Sequence, residues 1–94
     1  TAFGAEASFL VIQDSFDNGK FDKVEKQTFA LSKSKTSQTY WMARSFIVLG
    51  DSYAERGNKE QALATYQSVK DNYKGKDDDI VSLASAKIKQ LSGK

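Results

Sequence analysis

Three consecutive aspartates, Asp77 to Asp79, are the residues whose types and spacing come nearest to a chemical site. Hard cations such as calcium prefer several carboxylate oxygens. The run nevertheless lacks the alternating carboxylates, the turn glycine and the closing glutamate of a calcium loop, and Lys74 and Lys76 lie beside it. Carboxylates that precede a helix cap its free amides and suit the positive end of its dipole. We therefore interpret the run as a helix start and predict no metal site.

The sequence presents no other catalytic constellation. It contains neither cysteine nor histidine, which excludes thiolate nucleophiles, imidazole bases and the usual zinc ligands. A Ser–Lys dyad is formally available, but no glycine-rich elbow or oxyanion loop accompanies any candidate pair. The glycines form neither a dinucleotide-binding motif nor a phosphate-binding loop. We therefore predict a non-enzymatic protein that has no catalytic residues and needs no cofactor.

Chain length and net charge limit the remaining classes of fold and function. A chain of 94 residues suits one domain with a thin core. The net charge is only +2 and the sequence has no basic stripe, so we predict no nucleic-acid binding. No segment has the length and apolarity of a membrane span, so we predict no membrane insertion. The chain starts at Thr1 and TAFGAEA leads straight into a helical pattern, so we expect a fragment of a longer protein.

Apolar residues recur at helical spacing along the whole chain. They predict five helices, at roughly residues 4–18, 21–33, 39–56, 59–73 and 78–91. Gly19 and Gly57 follow two of the predicted helix ends, where we expect them to adopt left-handed backbone angles. The two glycines are 38 residues apart in similar surroundings, which indicates an internal repeat.

Tyr40 and Trp41 open the third predicted helix beside Met42. Exposed aromatic residues of this kind form binding hot spots in protein interfaces. Large aromatic residues more often serve the core. We therefore favour a structural role, in which Trp41 packs against the second helix and sets the angle between the two halves of the chain.

The stretch Phe46–Tyr66, FIVLGDSYAERGNKEQALATY, resembles a tetratricopeptide repeat. The family's alternation of large and small residues is matched by Leu49, Gly50, Tyr53, Ala62, Tyr66 and Val69. The resemblance implies an all-α, right-handed superhelix of antiparallel helix pairs, with Gly50 where helices three and four approach most closely. We expect a single domain over residues 1–94, with repeats at about 4–33 and 39–73 and a capping helix at about 78–91.

The resemblance also implies a binding surface. In this family the first helix of each pair lines the concave face and binds a peptide or a partner helix. The positions carried over to this chain are Phe9, Gln13, Phe16, Asp17, Arg44, Ile47, Asp51 and Glu55. We expect Phe9, Ile47 and Arg44 to be partly exposed there, with the two apolar side chains at the centre. The implied function is a protein–protein interaction scaffold.

A second interpretation remains open at this point. The sequence fits equally well a structural unit that oligomerises, or that ends a longer solenoid, and has no ligand of its own. The chain would then form a homo-oligomer through its exposed terminal helices. The overall resemblance is to the C-terminal repeats of large bacterial tetratricopeptide proteins, several of them exported. That resemblance alone favours the periplasm or cell envelope over the cytoplasm.

Overall fold

The computed structural model describes residues 2–75 and 78–93 and contains α-helices as its regular structure. The five helices are α1 (Ala2–Asp17), α2 (Phe21–Lys33), α3 (Thr39–Glu55), α4 (Lys59–Asn72) and α5 (Ile80–Ser92). Every observed helix end lies within two residues of its predicted position. The predicted all-α fold is therefore confirmed, and the helical periodicity of the sequence accounts for it.

Glycine ends both α1 and α3 in the same way. Gly19 has a φ of 70° and Gly57 a φ of 79°, the left-handed values expected from the sequence. After α1, the amide of Lys20 donates to the carbonyl of Ser15 at 2.8 Å, and Gly19 donates to Phe16 at 2.9 Å. Asn58 and Gly57 repeat these two bonds after α3, at 2.9 and 3.0 Å. Both turns are Schellman motifs, which reverse the chain within three residues and pair successive helices.

The core is built around α3, which packs against all four other helices. Each helix contributes an aliphatic side chain that is at most 1% exposed: Ile12, Val24, Leu49, Ala62 and Ile80. Such positions lie on one stripe of each helix, three or four residues from the next buried side chain. Burying these stripes together is what holds the five helices in one body.

Gly50 lies at a close approach between α3 and α4. A Cβ built on Gly50 would lie 2.5 Å from Cε1 of Tyr66, so only glycine leaves room for that ring. Tyr66 is 2% exposed, and Gly50 is also buried. Gly50 lies seven residues before Gly57 and Tyr66 nine residues after it, so their contact requires α3 and α4 to run antiparallel. The expected position of Gly50 is thus confirmed.

The start of α5 and the position of Trp41 test two further expectations. The side chain of Asp78 accepts a hydrogen bond from the amide of Ile80, the first residue of α5, at 3.1 Å, whereas the N-cap residue Asp79 makes no side-chain capping bond. Asp77 lies outside the described residues.

Trp41 is half-buried and its ring centroid lies 5.3 Å from that of Phe9. One ring partner of Trp41 is therefore on α1, and another is the neighbouring Tyr40 at 5.0 Å, whereas Trp41 was expected to pack against the second helix.

None of the helices in the described part of the chain is long and apolar enough to cross a bilayer.

Candidate functional site

The residues predicted to bind a partner lie along α1 and α3, and we call this surface the α1–α3 face. It consists of Phe9, Gln13, Phe16, Asp17, Arg44, Ile47, Asp51 and Glu55. The expectation that Phe9 and Ile47 are exposed at its centre is wrong, since they are only 5% and 3% exposed. Both side chains belong to the core that joins α1 to α3. They offer almost no surface to a partner in this structure.

Phe9 is buried because side chains of α3 cover it. The guanidinium carbon of Arg44 lies 5.0 Å from the centre of the Phe9 ring, a cation–π contact, and Trp41 packs against the same ring. Arg44 also donates a hydrogen bond of 2.9 Å to the hydroxyl of Tyr40. That hydroxyl in turn donates to Asp79 at 2.9 Å. Arg44, half-buried as expected, is therefore held by this network, which ties α1, α3 and the start of α5 together.

Asp51 is likewise engaged within the chain. It accepts a hydrogen bond from the hydroxyl of Tyr66 and forms a 3.1 Å ion pair with Lys87. Burial, and then the hydrogen bond to this carboxylate, raise the pKa of the Tyr66 hydroxyl well above its ordinary value. The hydroxyl therefore stays protonated and keeps donating to Asp51. This cluster joins α3 to α4 and α5.

The remaining members of the α1–α3 face are spread along its edge. Gln13 donates to Asp17 at 2.9 Å, and the half-buried ring of Phe16 lies 5.7 Å from that of Phe21. Asp17 and Glu55 are exposed. The structure brings Phe9 and Arg44 into contact and pairs Gln13 with Asp17. It leaves an acidic edge rather than a surface with apolar anchors.

A second surface, the α2–α4 groove, lies on the opposite side of α3. Met42, Leu49 and Tyr53 face it, each two residues before a member of the α1–α3 face and so on the other side of the helix. Phe46, four residues after Met42, lies on the same side. The helices α2 and α4 do not contact each other, so α3 forms the floor between them. The resulting open cavity has a volume of about 480 Å³.

The lining of the α2–α4 groove is uncharged and mostly apolar. It consists of Phe29, Thr39, Met42, Ala43, Phe46, Leu49, Tyr53, Gln61, Ala64, Thr65, Ser68, Val69, Asn72 and Tyr73. None of these side chains carries a formal charge. Phe29 is 42% exposed and its ring centroid lies 6.2 Å from that of Phe46 in an edge-on arrangement. An apolar floor with hydroxyl and amide groups on one wall is typical of sites that bind an apolar segment.

The sequence interpretation did not identify this groove. One signal was available: Phe29 lies off the buried stripe of α2, which is formed by Val24, Thr28 and Leu31. A large aromatic residue outside such a stripe is either exposed or part of a second contact surface. The other walls come from helices distant in sequence, so no local pattern could have assembled them.

One end of the groove is held by a polar cluster between α2 and α3. Tyr53 donates a hydrogen bond of 2.7 Å to Glu25, and Arg56 pairs with Glu25 at 3.8 Å and with Asp22 at 3.5 Å. Burial, followed by the hydrogen bond to Glu25, raises the pKa of Tyr53 to about 12. The cluster fixes the orientation of α2 relative to the floor of the groove.

No family model, curated protein or solved structure matches this chain.

Proposed function

We propose that this chain is a non-enzymatic protein-interaction module that binds an apolar face of a partner helix in the α2–α4 groove. The observation that carries the proposal is the combination of an open cavity of about 480 Å³ with an aromatic residue, Phe29, that is 42% exposed at its edge. Exposed apolar surface of this kind marks interaction sites in folded proteins. Helix-in-groove binding is a common way to cover it.

The chemistry of the groove selects the kind of helix. A charged side chain placed against Met42 and Phe46 would lose its hydration without gaining an ion pair, because no charged residue lines the groove. The bound face must therefore be uncharged. Gln61, Thr65 and Ser68 of α4 offer hydrogen bonds to polar groups at the edge of that face. An amphipathic helix with leucine-like anchors fits these requirements.

The tetratricopeptide arrangement of the helices is part of this proposal. It is supported by the small residue Gly50 under the Tyr66 ring and by equivalent glycine turns at Gly19 and Gly57. Within this arrangement the partner binds on the side of α3 that faces α2 and α4, and no longer around Phe9 and Ile47. Asp17 and Glu55 then contribute at most to the charge of the opposite surface.

Met42 allows a direct test, since it is the only methionine of the chain and lines the groove. Its ¹³C-labelled methyl group gives a single NMR signal that reports occupation of the groove. We expect this signal to shift and saturate when an amphipathic helical peptide with an uncharged leucine face is added. The same peptide with a lysine in the middle of that face should not bind. Identical shifts with both peptides, or none with either, would contradict the proposal.

A second function, a structural unit that stacks on another helical pair, is favoured by a separate observation. Leu10 and Val11 are 57% and 53% exposed on α1, the highest values for large hydrophobic side chains among the described residues. Neither residue lies in the α2–α4 groove. Covering them requires a second surface, so the two functions are compatible in one molecule.

A further inference from the structure

The exposed side of the first helix pair has a distinct composition. We call it the α1–α2 face; its exposed residues are Glu6, Ala7, Leu10, Val11 and Asp14 of α1 with Lys26, Ala30 and Lys33 of α2. A shallow surface cavity of about 410 Å³ is lined by residues of both helices there, including Val11 of α1 and Ala30 of α2. Small side chains on such a face allow the helices of another molecule to approach closely.

Charge is divided between the two helices of this face. α1 contains three carboxylates and no lysine or arginine, and two of them, Glu6 and Asp14, lie four residues on either side of Leu10. On α2 the exposed cations Lys26 and Lys33 lie on either side of Ala30. None of these four charged side chains forms an ion pair within the described part of the chain.

The acids of α2 do not cancel these cations. Asp22 and Glu25, near the start of α2, both pair with Arg56, which follows the end of α3. The outer side of α2 therefore presents positive charge, and the outer side of α1 presents negative charge.

The spacing of the two acids on α1 also matches the spacing of the two lysines on α2. Glu6 and Asp14 are eight residues apart, which corresponds to about 12 Å along a helix, and Lys26 and Lys33 are seven apart, or about 10 Å. Each row thus has two charges at nearly the same separation, with an apolar residue between them. If α1 of one molecule packs antiparallel to α2 of another, each acid of α1 can pair with a lysine of α2.

We propose that a second copy of this chain docks on the α1–α2 face, with α1 of each copy against α2 of the other. This deepens the structural function proposed above and rests on it. Pairing α1 with α1 would oppose carboxylates to carboxylates, which is unfavourable. Reciprocal pairing instead buries Leu10 and Val11, matches both charge rows and closes the assembly as a two-fold dimer.

The dimer should be weak and sensitive to salt. Two short helices provide less than the surface of about 800 Å² per partner that stable interfaces bury. Ion pairs at the rim of such a contact are screened at high ionic strength. Dimerisation is therefore expected at high protein concentration and low salt, and should decrease as salt is added.

Charge reversal tests the pairing itself. The variant E6K/D14K has two basic rows and the variant K26E/K33E two acidic rows, so each should be monomeric where the parent chain is dimeric, with association weakened at least about tenfold. An equimolar mixture of the two should dimerise again, because every contact then joins opposite charges. Analytical ultracentrifugation measures the association of the parent, of each variant and of the mixture. The control K59E/K70E changes exposed lysines on α4 and should dimerise like the parent.

All the reversed side chains are exposed, so circular dichroism should show parent-like folding for each variant. The proposal is overturned if the parent stays monomeric at every concentration, if K26E/K33E dimerises like the parent, or if mixing fails to restore the dimer. Failure here is distinguishable from failure of the groove proposal, since the Met42 methyl signal reports peptide binding independently of dimerisation.

Discussion

The ring of Tyr66 on α4 lies directly against the backbone of Gly50 on α3, and a Cβ at Gly50 would be 2.5 Å from ring atom Cε1. Beyond this contact, the Tyr66 hydroxyl donates a hydrogen bond to Asp51, which also forms an ion pair with Lys87 of α5. One glycine therefore allows three helices to be joined by a single buried tyrosine. The packing of the second half of the chain depends on this contact.

Substituting Gly50 should expose that dependence. Gly50→Leu forces the Tyr66 ring away from α3 and should lower the free energy of unfolding by about 1–3 kcal/mol, the usual cost of overpacking a core. Ala86→Leu, at an exposed position of α5, is the matched control and should change stability little. Urea denaturation of both variants gives the comparison. Equal stabilities would mean that α3 and α4 do not meet at Gly50.

The turn after α3 gives a second prediction. Gly57 has a φ of 79°, where a Cβ is unfavourable by about 1–2 kcal/mol, so Gly57→Ala should destabilise the fold by that amount. Asparagine tolerates this backbone region better than alanine. Gly57→Asn should therefore retain more of the parent stability in the same thermal melts. An alanine variant as stable as the asparagine variant would contradict the left-handed turn.

Thr28 supplies a stabilising substitution. It is 0% exposed, and its hydroxyl oxygen has no hydrogen-bond partner among the described residues. Thr28→Val keeps the shape and removes a buried polar group without a partner, so it should raise stability by about 1 kcal/mol. Thr65→Val is the control, because that hydroxyl already donates to the carbonyl of Gln61 at 2.8 Å. Loss of stability in Thr28→Val, measured by urea denaturation, would show that the Thr28 hydroxyl is satisfied.

The raised pKa of Tyr53 predicts that the stability of the fold depends on pH in the alkaline range. Burial and the hydrogen bond to Glu25 raise its pKa to about 12 in the folded protein, above the ordinary value of 10.0. The folded state therefore favours the protonated hydroxyl. Its contribution is fully present below pH 10 and is lost as the pH rises from 10 to about 12. In Tyr53→Phe the stability should fall less over this interval than in the parent chain. Parallel stability curves for the two proteins would contradict the assignment.

The helices were predictable because their signals are local. Gly19 and Gly57 mark the two turns at which the chain reverses, and the apolar stripes identify the buried side of each helix. The ends of all five helices therefore agree with the structure within two residues. A close approach of α3 and α4 at Gly50 was also expected, from the resemblance to the tetratricopeptide repeat, whereas the ring of Tyr66 as the neighbour of Gly50 was not predicted.

The binding surface could not be predicted in the same way. Phe9 and Ile47 were expected to be exposed because the corresponding positions line an open face in tetratricopeptide repeats, which the sequence resembles. Whether a side chain there is covered depends on its neighbours: Arg44 and Trp41 fold over Phe9 and bury it. The α2–α4 groove depends on residues as distant in sequence as Phe29 and Tyr73, which only the packed structure brings together.

The affinity of the groove for a helix is the most direct test of the central claim. Phe29→Lys places a charge at the groove, whereas Val81→Lys places the same charge on α5 at a position of similar exposure, 42% against 39%. Titration of the leucine-faced peptide against the Met42 methyl signal should show binding to the parent and to Val81→Lys, with binding to Phe29→Lys weakened at least about tenfold, as expected when a binding anchor is lost. Equal affinities for the two lysine variants would contradict the assignment of the α2–α4 groove as the binding site.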